Sequence, residues 1–233
     1  MNIPYTYSYL ILDILLLVVW VSLYLKRKDI RSEMLFISIL FGISGPIFEP
    51  FTLHDWWRPF TVTGTPVGFE DFLFGFAIGG IASVIYEIVA GKKLRKDTPK
   101  KMFSELRRFR VWILPILITT ILLIGIFILD INSWISSTVS IAAPLLVILS
   151  LRRDLITNAL ASGLLLIAIV SVVSTLVEVI TPGWIQTLWI QDSSIPVTPF
   201  LNVPISDIVW YFFIGAYIGP LYEYWQDRKL KKI

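Results

Sequence analysis

Apolar residues are grouped along the chain into seven long runs, separated by short segments that are polar, basic or rich in proline. The runs predict helices at about residues 7–25, 33–50, 69–91, 111–130, 134–151, 156–180 and 205–226. Each run is about 18 residues or longer, the length at which a helix can cross ~30 Å of hydrocarbon. The pattern therefore predicts an all-α fold, a polytopic membrane helix bundle with seven transmembrane helices.

The basic residues lie almost entirely on one side of this predicted topology. Nineteen of the 20 lysines and arginines fall in segments 26–32, 92–110 and 152–155 and in the tail after residue 226. Cytoplasmic segments of membrane proteins carry this excess. We therefore expect an integral protein of the plasma membrane, with its N-terminus outside and its C-terminus cytoplasmic. The isoelectric point of about 9.1 then reflects topology, so the expected partner is the lipid bilayer and not nucleic acid.

The residue types exclude several kinds of chemistry. The chain has no cysteine and a single histidine, His54, so it offers no disulfide, no thiolate and no site with several histidines for a metal. It also lacks the G-x-G-x-x-G turn of dinucleotide-binding proteins. We expect neither a metal nor a cofactor.

The chain repeats itself. When residues 69–96 are aligned with residues 205–232, nine of the 28 positions are identical. A basic turn, KRKD or LRRD, precedes each copy by one helix, which predicts two three-helix units, helices 1–3 and 5–7. The expected domains are 1–96, a linking segment 97–132 that holds helix 4, and 133–233. Because helix 4 restores the chain's direction, the repeats should be parallel and related by a pseudo-twofold axis along the membrane normal.

One set of acidic residues is predicted to have ordinary structural roles. Those among the inner basic residues are predicted to be solvated, Asp13 and Asp130 to be polar helix ends, and Glu87 and Glu223 to reach the headgroups in ion pairs. The solvated group comprises Asp29, Glu33, Asp97, Glu105, Asp154 and Asp227.

A second set of acids lies at the outer helix ends, where carboxylates are costly and by default mark function. Helix capping would explain Glu70 and Asp71, which begin a helix, but not Glu49 and Glu178, which end one. The set comprises Glu49, Asp55, Glu70, Asp71, Glu178, Asp192 and Asp207.

Aromatic residues cluster in the same outer loops, 51–68 and 181–204. They are typical of an interfacial belt. Aromatic faces beside carboxylic acids also suit a carbocation, because the ring stabilises the cation and the acid delivers the proton. An acid in apolar surroundings keeps its proton near neutral pH, since desolvation disfavours the charged form.

Short motifs in both units carry a family resemblance. They read FEDFLFGF at 69–76, VIYE at 84–87, HDWW at 54–57, VPISDIVWYFF at 203–213 and PLYE at 220–223. With these motifs the chain resembles the lycopene cyclase domain family, the small flavin-free membrane type built from two three-helix units. It departs from the family pattern at Gly68, where a proline is expected, and at Ser206, where a glutamate is expected.

The resemblance implies an intramolecular cyclase of isomerase type that acts on an apolar isoprenoid. An acid would protonate the terminal alkene of a linear, lycopene-like polyene, the cation would attack internally, and a base would remove a ring proton without net redox. Glu70 is the expected general acid and Asp71 or Glu49 its partner, with Glu178 and Asp207 as counterparts in the second unit. Cation stabilisation and substrate binding are expected of Trp56, Trp57 and Phe72.

Two other functions fit the same pattern. Parallel three-helix repeats also occur in small-molecule transporters and binding proteins, and glycines and prolines such as Gly79 and Pro220 could serve as hinges. The chain could instead be a non-catalytic membrane partner subunit. A homo-oligomer is compatible with each of these functions.

Overall fold

The computed structural model describes residues 4–94, 104–190, 199–200 and 202–232. Asp97 and Asp192 lie outside the described residues, as does the side chain of Glu105. The described chain is almost entirely helical. Its nine α-helices are α1 Ser8–Lys26, α2 Arg31–Phe48, α3 Phe69–Val89, α4 Ser104–Phe127, α5 Ser133–Leu151, α6 Ile156–Ile180, α7 Trp184–Leu188, α8 Ile205–Ile218 and α9 Leu221–Gln226.

Six helical segments are long and apolar enough to cross a membrane. They are Tyr5–Lys26, Arg31–Phe51, Phe69–Val89, Ser133–Leu151, Arg153–Ile180 and Ile205–Gln226, and three include a short 3-10 turn. In α4 the apolar stretch found among the described residues is shorter, Ile113–Phe127. The chain is therefore an all-helical protein with six candidate membrane spans.

Three predicted helices differ from the observed ones. The helix predicted at 111–130 is α4, Ser104–Phe127, which begins about seven residues earlier and ends about three residues earlier. The helix predicted at 205–226 is interrupted between α8 and α9, because Pro220 has no N–H to continue the ladder of hydrogen bonds. The helix predicted at 33–50 ends at Phe48, and Glu49–Phe51 form a 3-10 turn that contains Pro50. Glu49 itself keeps helical dihedral angles, and its N–H donates to the carbonyl of Gly45.

The two long loops meet at one end of the bundle, which we call the loop end. The backbone N–H of Arg58 donates to the carbonyl of Leu188 at 2.7 Å, and that of Ile190 donates to Trp56 at 3.0 Å. Tyr5, which precedes α1, also reaches this end, since its hydroxyl donates to the carbonyl of Pro182 at 2.8 Å.

The opposite end, which we call the basic end, joins the segments that follow α3 and α9. Strand β1, Lys92–Leu94, pairs antiparallel with β4, Leu230–Lys232, and Leu94 lies opposite Leu230. A second small pair, β2 Pro199–Phe200 and β3 Val203–Pro204, precedes α8. Because α3 and α8 both begin at the loop end and lead to the basic end, they run in the same direction.

Corresponding contacts recur in the two halves of the chain. Nε of Arg27 donates to Asp29 at 3.0 Å, and Nε of Arg152 donates to Asp154 at 2.8 Å. The Arg27 hydrogen bond lowers the pKa of Asp29, which lies outside the membrane-spanning segments. Each arginine also makes a second bond, from its terminal nitrogen to the other oxygen of the same aspartate. The two turns are 125 residues apart.

Contacts between helices also recur in the two halves of the chain. A Cβ at Gly79 would lie 3.2 Å from the carbonyl oxygen of Ile37, and one at Gly215 would lie 3.0 Å from that of Ser162. The shift is 125 residues between α2 and α6 and 136 between α3 and α8. In this register Glu49 corresponds to Ser174, one helical turn before Glu178.

Several acids predicted to be solvated or ion-paired are buried instead. Glu33, Glu87 and Glu223 are at most 2% exposed, and Glu33 lies near the other two. Both oxygens of Glu33 lack a hydrogen-bond partner among the described residues, while Glu223 accepts a hydrogen bond from Nδ2–H of Asn158 at 2.5 Å. Asp13 is also fully buried, without a partner for either oxygen. The predictions were wrong for Glu33, Glu87 and Glu223 because these residues lie on helix faces that turn toward neighbouring helices.

Candidate active site

An elongated cavity of about 280 Å³ begins beneath the loops and continues between α2, α4, α5 and α8. Its lining on α8 extends from Asp207 to Tyr217, which corresponds to roughly 15 Å of helix rise. Most of the lining is apolar, with serine hydroxyls from α2 and α5. The shape suits one end of a long, thin, apolar molecule.

Among the described residues, two carboxyl groups reach this cavity, those of Glu49 and Asp207, and both lie at its loop end. The 3-10 turn after α2 carries Glu49, whose Oε1 is buried without a hydrogen-bond partner. The indole of Trp57 lies against the same carboxyl group. Glu49 therefore faces an apolar, aromatic space with one oxygen uncommitted.

The carboxyl group of Asp207 is held by indole N–H groups from both loops. Trp56 Nε1 donates to its Oδ1 at 2.8 Å, and Trp189 Nε1 donates to its Oδ2 at 3.1 Å. The hydroxyl of Ser206 lies 3.2 Å from Oδ1. Asp207 lies in the first turn of α8, where the positive end of the helix dipole also favours an acid.

Aromatic rings form the wall around these two acids. The ring centroids of Trp57 and Trp189 are 5.3 Å apart, and those of Trp56 and Trp210 are 5.8 Å apart. The aromatic residues that line the cavity are Phe41, Phe48, Phe51, Trp56, Trp57, Phe74, Trp189, Trp210, Tyr211 and Tyr217. A cationic centre in this space would be close to several ring faces.

The predicted pair that begins α3 lies outside the cavity lining. Asp71 accepts the backbone N–H of Gly68 at 2.7 Å, which caps the helix, and the hydroxyl of Tyr9 at 2.9 Å. Glu70 accepts the backbone N–H of Val62 at 2.7 Å, so it holds the loop. The two acids thus have separate partners, as adjacent helix positions about 100° apart would suggest.

Two further predicted residues also lie elsewhere. Glu178, at the end of α6, accepts the backbone N–H of Gly183 at 2.9 Å. Phe72 packs on Phe76, with ring centroids 5.9 Å apart, and against Gly42 of α2. Of the residues predicted for the site, the structure brings Glu49, Asp207, Trp56 and Trp57 together around the cavity.

Other contributors were not predicted from the sequence. Tyr9 links Asp71 to the aromatic wall, because its ring meets that of Trp57 edge-on at 4.9 Å. Asp13 lies near Asp71 and Glu70. Phe74 could have been found from its position, one helical turn after Glu70, and Trp189 from the tryptophan-rich loop. Asp55 ties the loop to the start of α5 by accepting the N–H and the hydroxyl of Ser133.

Within the described residues no group of three or more histidine, aspartate or glutamate side chains is arranged to hold a metal ion. The chemistry of the cavity is that of two carboxyl groups and an aromatic wall, in a helical protein of the membrane. This defines the class as a membrane protein with an apolar, acid-containing site.

The lycopene cyclase family model matches residues 4–89 and 132–225, which together make up most of the chain. The chain therefore belongs to the lycopene cyclase family, a family of membrane carotenoid cyclases. The two matched regions correspond to the two repeated halves. No curated protein and no solved structure is significantly similar to the chain.

Proposed function

We propose that the protein cyclises an end group of a linear, lycopene-like polyene by adding and removing a proton, with no net redox. One observation carries this proposal: Glu49 and Asp207 both lie at the loop end of an elongated apolar cavity with aromatic walls. A transporter fits this arrangement less well, because both acids are at one end of the cavity and not midway along a path.

The hydrogen bonds suggest how the two acids divide the work. Indole N–H groups can only donate, so the oxygens of Asp207 that they meet act as acceptors. Oε1 of Glu49 has no hydrogen-bond partner among the described residues and is available to carry a proton. Glu49 is therefore the proposed proton donor, in the role predicted for Glu70, and Asp207 is the proposed base.

The proposed reaction balances within the substrate. The O–H bond of Glu49 breaks and its proton adds to the terminal alkene, which leaves a cation on the neighbouring carbon. The electron pair of an internal alkene then forms the ring bond, and the cation moves into the ring. A ring C–H proton passes to Asp207, and its electrons form the new alkene. One proton enters and one leaves, so the product is an isomer.

The aromatic wall would stabilise the intermediate. A cation beside a desolvated aromatic face is stabilised by about 2 kcal/mol or more. Trp57 touches both Glu49 and Trp189, so it lies where the first cation would form. Trp56 has a second role, because its N–H also holds Asp207.

Matched glutamine variants in a lycopene-producing host test the proposed donor. Glu49→Gln keeps the side chain's shape but cannot deliver a proton, so we expect cyclic product to be lost while the protein remains in the membrane. Glu70→Gln can still accept the N–H of Val62 and should retain product. Loss of product in Glu70→Gln with retention in Glu49→Gln would return the donor role to Glu70.

We also propose seven spans, with the loop end outside. The connectivity of α4 supports a seventh span: β1 lies at the basic end and α5 begins beside Asp55 at the loop end. Cysteine labelling in whole cells tests this orientation, since the chain has no cysteine of its own. A charged thiol reagent added outside should label Thr63→Cys and leave Lys231→Cys unlabelled; the reverse result contradicts the orientation.

The proposed domain layout is the predicted one, with units 1–96 and 133–233 joined by segment 97–132. The matching Arg–Asp turns and the parallel course of α3 and α8 support a parallel repeat. The catalytic partners would then come from different units, Glu49 from the first and Asp207 from the second. The homo-oligomer stays a prediction.

A further inference from the structure

In the part of the chain that the structure describes, one side of the cavity is not covered by a helix. Among the described residues, α4 packs against α5 and α9 and barely touches α2. Both α2 and α4 nevertheless line the cavity, through residues that include Leu40, Ser44, Pro115 and Ile118. Leu40 lines the cavity and is 44% exposed. The space between these two helices is therefore a gap in the cavity wall.

Aromatic contacts frame this gap at both ends. At the loop end the ring of Phe51 meets that of Phe127 edge-on, with centroids 6.1 Å apart. At the basic end Phe36 of α2 stacks on Trp225 of α9, with centroids 4.5 Å apart. Leu40 lies about halfway along α2, between the two contacts. We call the gap between them the lateral window.

The outer surface beside the lateral window is apolar. On the neighbouring face of α2, the side chains of Ile39, Ile43 and Ile47 are each at least 50% exposed. In a membrane-spanning helix such a face contacts lipid chains. The window thus opens at the depth of the hydrocarbon core.

The loop end of the cavity, in contrast, is covered in the part of the chain that the structure describes. The two loops pair through the backbones of Trp57 and Trp189, and the indoles of Trp56 and Trp189 close over Asp207. Water at the membrane surface therefore meets paired backbone and indole rings before it meets the acids.

We propose that the lateral window is the access route, and that one end of a linear apolar chain enters through it from the bilayer while the rest stays among the lipid chains. This inference rests on the proposed function for the identity of the occupant. It explains how a cavity of about 280 Å³ can serve a much longer molecule. It also makes the acids reachable without passage through water.

Thiol labelling of the cavity wall tests the window without any measurement of turnover. Ser140 lines the cavity, is 1% exposed, and becomes a near-isosteric probe in Ser140→Cys. In vesicles that hold the full chain, we expect pyrene maleimide, which partitions into lipid, to label this cysteine. A charged methanethiosulfonate reagent in the water should fail to label it. Ser137→Cys is a second probe of the same wall.

Two control positions calibrate the labelling. Leu164→Cys, on the lipid-facing side of α6, should react with pyrene maleimide, and Ser83→Cys, buried away from the cavity, should not. Adding Leu40→Trp to Ser140→Cys should close the window and reduce labelling to the level of Ser83→Cys.

Either of two results would overturn the lateral window. The charged reagent could label Ser140→Cys and Ser137→Cys, which would mean that the cavity opens to water. Alternatively, pyrene maleimide could label neither, which would mean that it is closed to lipid. A chain that makes no cyclic product but labels as expected would instead count against the proposed function alone.

Discussion

Asp207 has two indole partners because two different loops meet at the start of α8. A carboxyl group taken out of water needs hydrogen-bond donors to replace the water it loses. Trp56 comes from the loop before α3 and Trp189 from the loop before α8, so one acid joins both halves of the chain. The position of this group depends on two tryptophan N–H groups as well as on its own helix.

The Trp189→Phe variant tests the contribution of the indole N–H separately from that of the aromatic ring. The phenyl ring keeps most of the packing but leaves Oδ2 of Asp207 without its donor. An unmatched buried acceptor lowers the free energy of unfolding by about 1–3 kcal/mol, so we expect a lower melting temperature in detergent and reduced cyclisation.

Trp184→Phe is the matched control, because Trp184 is also buried and its Nε1 has no partner among the described residues. It makes the same change in volume without removing a hydrogen bond. Equal losses in the two variants would show that the N–H of Trp189 does not hold Asp207.

Residue by residue, two of the five acids that the sequence predicts for the site line the cavity. Glu49 and Asp207 stand beside aromatic loops, and that juxtaposition is visible in the chain. Glu33 stands beside Arg31 in the sequence, which suggested a solvated charge, yet its face of α2 turns toward Glu87 and Glu223. Which face of a helix is buried depends on its neighbours in space, and in a uniformly apolar segment the periodicity carries little of that information.

At the scale of elements, α2 and α3 approach so closely that backbone meets backbone. A Cβ at Gly45 would lie 2.1 Å from the carbonyl oxygen of Asp71, and a Cβ at Gly75 would lie 2.3 Å from that of Phe41. Small residues permit this approach between membrane helices. Glu49 follows Gly45 by one turn, so the close approach also sets where the acid stands against the start of α3.

Gly45→Ala should therefore force α2 and α3 apart. We expect a loss of about 1–3 kcal/mol in the free energy of unfolding, as for other overpacked sites, and reduced product because Glu49 moves with α2. Thermal unfolding in detergent and pigment analysis measure the two effects.

Gly42→Ala is the matched control on the same helix, because the atoms nearest to its Cβ would belong to the side-chain ring of Phe72 and not to the backbone. It should be tolerated, and the better helix propensity of alanine offsets part of any strain. If both variants behave alike, the backbone contact at Gly45 does not decide the packing.

The elements themselves were largely predictable, because long apolar runs leave few alternatives to a helix. The observed bounds of α1, α3, α5 and α6 lie within about two residues of the predicted ones. The interruption after Ile218 was missed, although Pro220 is its visible cause. The short α7 and the pairing of β1 with β4 were not predicted, since both depend on contacts between segments distant in the chain.

At the scale of the whole molecule, the cavity lies where the two halves differ. In the second half, α6 packs against α3 and α1 of the first. In the first half, the equivalent contact would be that of α2 with α8 and α5 of the second half. The cavity lies between these helices instead. In the 125-residue register, Ser137 and Ser140 of α5 correspond to Leu12 and Leu15 of α1. The two serines thus leave space in the cavity that leucines at the same positions would occupy.

Filling that space should abolish function without harm to the fold. Ser140→Leu adds a side chain that fits an existing apolar cavity, so the melting temperature should stay the same or rise. Cyclic product should be lost, because the end of the polyene can no longer reach Glu49 and Asp207. Ser162→Leu makes the same change at a fully buried position outside the cavity, where overpacking should lower the free energy of unfolding by about 1–3 kcal/mol. A stable Ser140→Leu protein that still forms cyclic product at the original rate would mean that the reaction takes place elsewhere, and an unfolded one would mean that the two halves leave no such space.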